Sequence, residues 1–536
     1  MVNTVVQNER EMMMPASLGR APMIAVLLAL LVAAPAVAAP PAAVPAPTVT
    51  TRAGPVTGSV TGSTTAAVAA FLGIPYAAAP VGANRWRAPQ PVARWGAARD
   101  ATRYGADCAQ APFPPDAAPV RTAPAEDCLF LNVWKPAAAR AGAALPVMVF
   151  IHGGGFVNGG SSPEIYSGEN FARDGVVFVS LNYRLGRYGY FAHPGLAAEG
   201  IGGNFGYLDQ IAALHWVQAN IAAFGGDPRR VTVFGESAGG MSVHMLLQSP
   251  LARGLFAGAI IESGGGRDRA LPVPTMAAAA KAGQTFAAGL TSAQLRALPA
   301  SQVTGDLSMM TMAKPGYSGP MIDGRTVLGQ PLDGIAAGLA ARVPVIVGAN
   351  SADGFPMTTD KDRIFAAYGA DAAEARRLYD GDGSASGMNV GTMTSADATF
   401  IEPARAVARG LAGRGASVWL YRFGHVGSAM GQAMGGAPHA SELPYVFDTA
   451  QQRRDPLPSP QDAAIAALTH RYWVNFAKTG RPDGAGDVPA WPAATLDDSH
   501  VQLIGSEAAG PAGAVHSEDP RRASLDFAER RATGGK

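Results

Sequence analysis

The sequence predicts an α/β protein: a central, mostly parallel sheet flanked by helices, with helical insertions forming a cap over the sheet's C-terminal edge. Three observations carry this. Short β-branched or apolar runs alternate with longer amphipathic stretches, and there is no internal repeat and no polar linker long enough to separate domains. One of those runs leads directly into a G-x-S-x-G segment that a helix-capable stretch follows. Apolar residues make up 48% of the 536, enough for one large core. Charged residues are only 15%, with a net charge of +1, so no basic stripe is available for phosphates and nucleic acid is not an expected partner.

Along the chain, Arg10 and Arg20 precede an apolar run from Met23 to Ala34, and Ala36-Val37-Ala38 offers a small-residue cleavage site. Residues 1–38 therefore read as a secretory signal and 39–50 as a flexible Pro/Ala leader. The apolar run is short for a membrane span and no second one is longer, so no stable membrane insertion is expected. Residues 51–530 read as a single domain. Its strand candidates are Val147–Ile151, Val176–Leu181, Val231–Phe234, Ala259–Glu262, Val343–Val347 and Val418–Phe423.

Between them, Tyr207 to Phe224 places Ile211, Leu214, Val217 and Ile221 on one helical face. The alanine-rich stretch from Ala270 to Gly334, and Asp360 to Arg377, read as the helical cap. Ala463 to Thr479 reads as a terminal helix closed by Gly480 and Pro482. Two cysteines, Cys108 and Cys128, in a chain expected to be exported predict a disulfide. They have no histidine cluster beside them, so neither a metal nor another cofactor is expected.

The motifs that carry chemistry begin with Gly235-Glu236-Ser237-Ala238-Gly239, behind the strand Val231–Phe234 and ahead of Met241 to Leu247. Strand, sharp turn and helix is the setting a nucleophile elbow needs, with small neighbours letting the turn push the Ser237 hydroxyl outward. In a chain with 65 glycines such a motif is weak by itself, and its surroundings decide. His152-Gly153-Gly154-Gly155 follows the strand Val147–Ile151. Backbone N–H groups unshielded by a Cβ can converge on an anion there, as in the HGGG-type loop of lipases and esterases. Gly154, Gly155 and Ala238, at the start of the following helix, are the candidate oxyanion donors.

Further blocks run in order through the chain: Phe71-Leu72-Gly73-Ile74-Pro75-Tyr76-Ala77, Pro80-Val81-Gly82, Glu126-Asp127-Cys128-Leu129-Phe130-Leu131-Asn132, Asn182-Tyr183-Arg184, and Asn204 to Gly240 with Asp209-Gln210 and Phe224-Gly225-Gly226-Asp227-Pro228. With these, the chain resembles the type-B carboxylesterases, the group that also holds the cholinesterases, from about Thr51 to Pro492. The resemblance implies the α/β-hydrolase fold and a serine esterase acting on a small-molecule carboxylic ester. It points to His439, in Gly436-Ala437-Pro438-His439-Ala440-Ser441-Glu442, as the general base. His425, nearer the strand Val418–Phe423, is the runner-up, and a mobile surface histidine is the bland alternative for His439. His193, His215, His244, His470, His500 and His516 read as structural or exposed.

For the acid, Gly348-Ala349-Asn350-Ser351-Ala352-Asp353-Gly354 matches the family's G-x-N-x-x-E-G except that Asp353 stands where glutamate is usual. The shorter side chain requires the loop to approach His439 more closely. The order Ser237, Asp353, His439 suits the α/β-hydrolase topology. By the same resemblance Arg85 pairs with Glu126 and Arg184 with Asp209. Ser263 supports the acid, Glu236 and Glu442 tune the pocket, and Cys108–Cys128 matches the family's first disulfide loop.

Two rival readings stand beside the esterase: a non-catalytic binding protein of cholinesterase type, and a lipase-type esterase for longer acyl chains. Cholinesterase activity itself is not expected. The loop from Ala109 to Asp127 holds no tryptophan to bind a quaternary ammonium by cation–π contact.

Overall fold

Runs that are apolar at every position belong between two covered faces, and the chain places them there. The computed structural model describes residues 46–534 apart from 63–65, 201, 268–270, 453–458, 485 and 498. The expected signal sequence and the first part of the leader, to residue 45, lie outside the described residues, and the end of the expected flexible leader is instead ordered, Thr48–Thr50 pairing antiparallel with Pro55–Thr57. Eleven described strands form one sheet: β1 (Ser59–Thr61), β2 (Val68–Pro75), β3 (Phe130–Pro136), β4 (Leu145–Ile151), β5 (Val177–Leu181), β6 (Gly226–Glu236), β7 (Gly258–Glu262), β8 (Val345–Asn350), β9 (Val418–Phe423), β10 (His500–Ile504) and β11 (Ala514–Glu518). Their spatial order is β1-β2-β3-β5-β4-β6-β7-β8-β9-β10-β11.

The strands from β5 to β10 in that order pair in parallel, while β1, β2, β3 and β11 attach antiparallel at the edges. All six expected strands lie in the parallel part, with ends shifted by a few residues. The chain leaves β4 toward β5 and leaves β6 toward β7, in opposite directions. A crevice opens outside the carboxyl ends of two such strands. Their register puts Ile151 opposite Gly235, so the glycine loop and the serine turn start side by side.

Side chains alternate across this sheet. Val147, Val149 and Ile151 pack in the core on one face, under α1 (Phe205–Asn220) and α2 (Ala238–Gln248). Met148, Phe150, Phe234 and Ile260 pack on the other, with Trp473 and Phe476 of α4 (Pro460–Thr479). Phe150, Phe171, Phe178, Phe234 and Phe447 form a continuous aromatic cluster there, with ring centroids 4.9–6.1 Å apart. Truncating one of these rings to alanine would cost about 3–5 kcal/mol. α4 begins in a capping box between Ser459 and Asp462 and ends at Gly480, whose φ is +76°.

The cap departs from expectation. Ala270 to Gly334 is only partly helical, in four short helices: Met276–Phe286, Ser292–Arg296, Ala300–Thr304 and Pro331–Ala336. The segment between Thr304 and Pro331 is irregular, because Gly305, Gly316, Gly319 and Gly324 all take positive φ and Pro315 and Pro320 withhold donors. The second insertion holds helices Lys361–Ala366 and Ala372–Tyr379, as its pattern predicts. It is followed by Gly387–Ala396, a π-helical turn at Asp397–Ile401, and α3 (Glu402–Ala412). The last helix is α5 (Arg522–Thr533). Cys108 and Cys128 are bonded, and Arg85–Glu126 and Arg184–Asp209 are bidentate ion pairs.

Candidate active site

Ser237 occupies the turn between β6 and α2 with φ +56° and ψ −121°. A residue with a side chain in such a conformation stores of order 1–3 kcal/mol, which the packing around it must hold. Gly235 and Gly239 make the turn possible. A Cβ at either position would stand 2.6 Å and 2.0 Å from the Ile151 carbonyl oxygen, so the turn rests directly on the end of β4. The Ser237 N–H donates to the Glu262 carbonyl of β7 at 2.9 Å, pinning the turn from its other side.

The glycine loop lies against this turn: a Cβ on Gly153 would be 3.1 Å from Ser237 Cβ. Gly154 and Gly155 take φ +98° and +61°. His152 anchors the loop. Its ring stacks on Tyr183 at 4.5 Å, the Tyr183 hydroxyl donates to the His152 carbonyl at 2.8 Å, and its Nδ1 meets the Gly153 carbonyl at 2.9 Å. Burial lowers its pKa to about 4, so His152 is a neutral structural group. Among the described residues no protein acceptor takes the N–H of Gly154, Gly155 or Ala238. Three unpaired donors beside a serine hydroxyl are what an oxyanion requires.

Asp353 and His439 meet across the loops that follow β8 and β9. His439 Nδ1 donates to Asp353 Oδ1 at 2.6 Å, and the parallel bridge Ala352–Pro438 draws the loops together. That approach accommodates the shorter acid. Asp353 is fully buried, and its Oδ2 accepts from Ser263 Oγ at 2.5 Å and from the Asn350 N–H at 3.0 Å. The His439 side chain keeps 13% of its surface open. Its Nε2 faces Glu236 Oε1 at 3.1 Å. Among the described residues Ser237 Oγ makes no hydrogen bond, and the histidine nitrogen that faces the elbow lies against the carboxylate of the glutamate beside the serine.

This carboxylate is one of a buried group. Burial pushes Glu236, Glu262 and Glu442 all above the usual range, and each carboxylate raises its neighbours further. Trp473 Nε1 donates to Glu262 at 2.7 Å, and Asn350 Nδ2 to Glu442. His439 is pulled down by burial but raised more by the charges of Glu236 and Asp353 and the bond to Asp353. The two upward shifts compete, since a protonated Glu236 no longer attracts imidazolium. Asp353 keeps the direction for His439 upward.

His425 lies away from this site, with Nε2 on Asp462 Oδ1 at 3.0 Å. His193 and His470 bond the carbonyls of Ala287 and Val446. Several neighbours escaped the sequence reading. Phe400 stacks on the His439 ring at 4.9 Å and 25°, and Phe355 meets it edge-on at 4.9 Å. Met309 and Met312 cover the glycine loop, their sulfurs 2.6 and 3.1 Å from where a Cβ on Gly155 would lie. Phe355 follows the Asp353-Gly354 pair directly, a signal that was there to be used; the methionines in an irregular cap segment carried none. Among the described residues no three His, Cys, Asp or Glu side chains group to hold a metal, and no helix is long and apolar enough to cross a membrane.

Residues 45–523 match the carboxylesterase family. The chain is 35% identical over 452 residues to the fumonisin B1 esterase of Sphingopyxis macrogoltabida, covering 79% of this chain and 81% of that one. It is 35% identical over 459 residues to the para-nitrobenzyl esterase of Bacillus subtilis (strain 168), covering 81% and 91%. A solved PNB esterase structure is similar with a TM-score of 0.75 and 33% identity, over 89% of this chain and 99% of that one. With the sheet order and the serine turn described above, these likenesses establish that the chain belongs to the carboxylesterase family, hydrolases of carboxylic esters built on the α/β-hydrolase fold.

Proposed function

We propose that the chain is an exported serine carboxylesterase whose single domain, residues 51–530, works through an acyl-enzyme on Ser237. His439 takes the Ser237 proton as the hydroxyl attacks the ester carbonyl and returns it to the leaving alcohol; a water then repeats the sequence to release the acid. Asp353 holds the imidazole with Nδ1 protonated, so that Nε2 is the basic nitrogen, and stabilises the imidazolium. Gly154, Gly155 and Ala238 supply N–H groups to the tetrahedral oxyanion. Ser263 keeps Asp353 oriented, and Glu236 adds a second carboxylate on the Nε2 side. Glu442 acts more remotely, through Asn350.

The observation that carries this reading is the 2.6 Å bond from His439 Nδ1 to the fully buried Asp353, with the other ring nitrogen turned toward the end of β6. Export is supported by the N-terminal pattern and by the Cys108–Cys128 bond, since disulfides persist in oxidising compartments. The relatives named for para-nitrobenzyl, fumonisin B1 and cocaine esters show how varied the esters of this family are, so the substrate proposed is a carboxylic ester as a class.

Stoichiometric labelling of Ser237 by an organophosphate, with hydrolysis of aryl and alkyl esters of increasing acyl length, tests the proposal. The expected result is one label per chain and loss of both label and turnover in Ser237→Ala. A folded protein that takes no label would instead support a non-catalytic binding role.

A further inference from the structure

Outside the serine site, the C-terminal segment holds a part-buried arginine that ties two other parts of the chain together. Arg521 immediately precedes α5, its N–H held by Asp519 Oδ1 at 2.9 Å, and Asp519 pairs with Arg422 of β9 at 2.9 Å. The Arg521 guanidinium reaches two separate stretches of chain. Nη1 donates to the Ser351 carbonyl at 2.8 Å, and Nη2 pairs with Asp397 Oδ1 at 2.8 Å. A solvent-open cavity of ≈ 370 Å³, lined in part by Ser351, Tyr379, Met393 and Arg521, lies beside it.

Both stretches lead to His439. Ser351 precedes Asp353 by two residues, and its Oγ accepts from the Ala437 N–H at 2.8 Å, two residues before His439. Ala352 N–H donates to the Ala437 carbonyl at 2.9 Å. Ser351 therefore joins the acid loop to the histidine loop. Asp397, fully buried and bonded by the Tyr379 hydroxyl at 2.9 Å, opens the π-helical turn Asp397–Ile401. A π turn inserts a residue into a helix and re-aims the side chains that follow, and it persists only where something holds it. Here it presents Phe400 flat against the His439 ring.

We propose that Arg521 is a positioning residue for catalysis: one guanidinium fixes the acid loop through Ser351 and the π turn through Asp397, and so sets the His439 imidazole between Asp353 and Phe400. The proposal rests on the serine-esterase reading above. Misplacement of a base by about 1 Å costs on the order of a hundredfold in rate, so a clamp this far from the serine has kinetic consequences.

The test compares wild type with Arg521→Met, Arg521→Lys and Phe400→Leu, with kcat expressed per organophosphate-titrated Ser237. Arg521→Met is expected to lower kcat per titrated site about tenfold or more while KM moves less than about threefold. The charged groups facing His439 are Asp353, Glu236 and, more remotely, Glu442. As Asp353 loses its grip, the acid limb of the kcat/KM profile moves to lower pH. Arg521→Lys recovers part of both effects, and Phe400→Leu shifts the same limb. Should Arg521→Met not fold, Arg521→Lys and Phe400→Leu decide, each with a smaller loss of the same kind. Variants that titrate fully, with kcat per site within about twofold of wild type and an unmoved acid limb, overturn the clamp even if they melt earlier. If wild type takes no label, the serine mechanism fails and the clamp falls with it, a result distinct from labelled variants with unchanged kinetics.

Discussion

His439 presents its Nε2 to Glu236 Oε1 at 3.1 Å while its Nδ1 bonds Asp353. Two carboxylates thus raise the histidine, and a base must be neutral to act. The acid limb of kcat/KM is therefore expected above the usual histidine value of about 6.5, with activity rising as pH climbs through it. Glu236→Gln removes one of the raising charges, so the limb should move to lower pH with kcat on the plateau reduced less than about tenfold. A limb that stays put would show that Glu236 is uncharged at working pH.

Asp353→Asn keeps the shape but removes the charge and lets the ring take the wrong tautomer. A kcat loss on the order of 10⁴-fold with KM nearly unchanged is expected. Asp353→Glu lengthens the acid by one methylene, yet the loops here are already drawn to a 2.6 Å contact with the shorter side chain. The extra methylene should displace His439 and lower kcat roughly 10- to 100-fold. Steady-state kinetics on an aryl acetate reads both variants, and an Asp353→Glu enzyme as active as wild type would show that the loops retreat freely.

Gly154 and Gly155 differ in what a side chain would meet. At Gly154 a Cβ would stand 2.2 Å from the Asn158 carbonyl, which is backbone and cannot yield. At Gly155 it would meet the thioether ends of Met309 and Met312. Gly154→Ala should therefore abolish turnover. Gly155→Ala, strained by its positive φ, should lower kcat about 10²–10³-fold, with part of the loss recovered by Met309→Ala. An acyl-length series on Met309→Ala alone should shift preference toward bulkier acyl groups.

The disulfide loop grips the chain just beyond the glycine loop. Gln110 Nε2 donates to the Gly159 carbonyl at 2.7 Å, its Oε1 accepts the Gly159 N–H at 3.0 Å, and Asp107 accepts from Ser162 Oγ at 2.5 Å. Replacing both Cys108 and Cys128 with serine should destabilise the fold by about 3 kcal/mol on the chain-entropy view of a 20-residue closure. Denaturant titration with and without reductant measures this, the reductant acting only on wild type. Gln110→Ala should leave the midpoint nearly unchanged and lower kcat by loosening the donors. Unchanged kcat would detach that loop from catalysis.

How far the site could be foreseen depends on how far apart its parts lie in the chain. The parallel strands β4 to β9 are apolar runs buried on both faces, and the serine turn and glycine loop each fit within a few residues; local pattern announces such features. The edge strands β2 and β3 were not foreseen as strands. Their pairing joins residues some sixty positions apart, and β2 is interrupted by an irregularity between Phe71 and Ile74. The cap resisted for another reason: alanine favours helix, but the glycines and prolines between Thr304 and Pro331 break it.

Residue order alone was enough for the sheet core, the strand–turn–helix around Ser237 and the choice of His439 and Asp353 as partners to examine, because each is written in neighbouring side chains and in blocks shared with a family. Packing between distant segments decided the rest: that Asp353 reaches His439 despite its shorter arm, that Nε2 faces Glu236, that a π turn lays Phe400 on the ring, and that Arg521 holds both pieces behind it. Those contacts join residues dozens to more than two hundred positions apart. Ångström-scale distances between them are fixed only when the whole core closes, since no local propensity specifies where a loop stops when another one meets it.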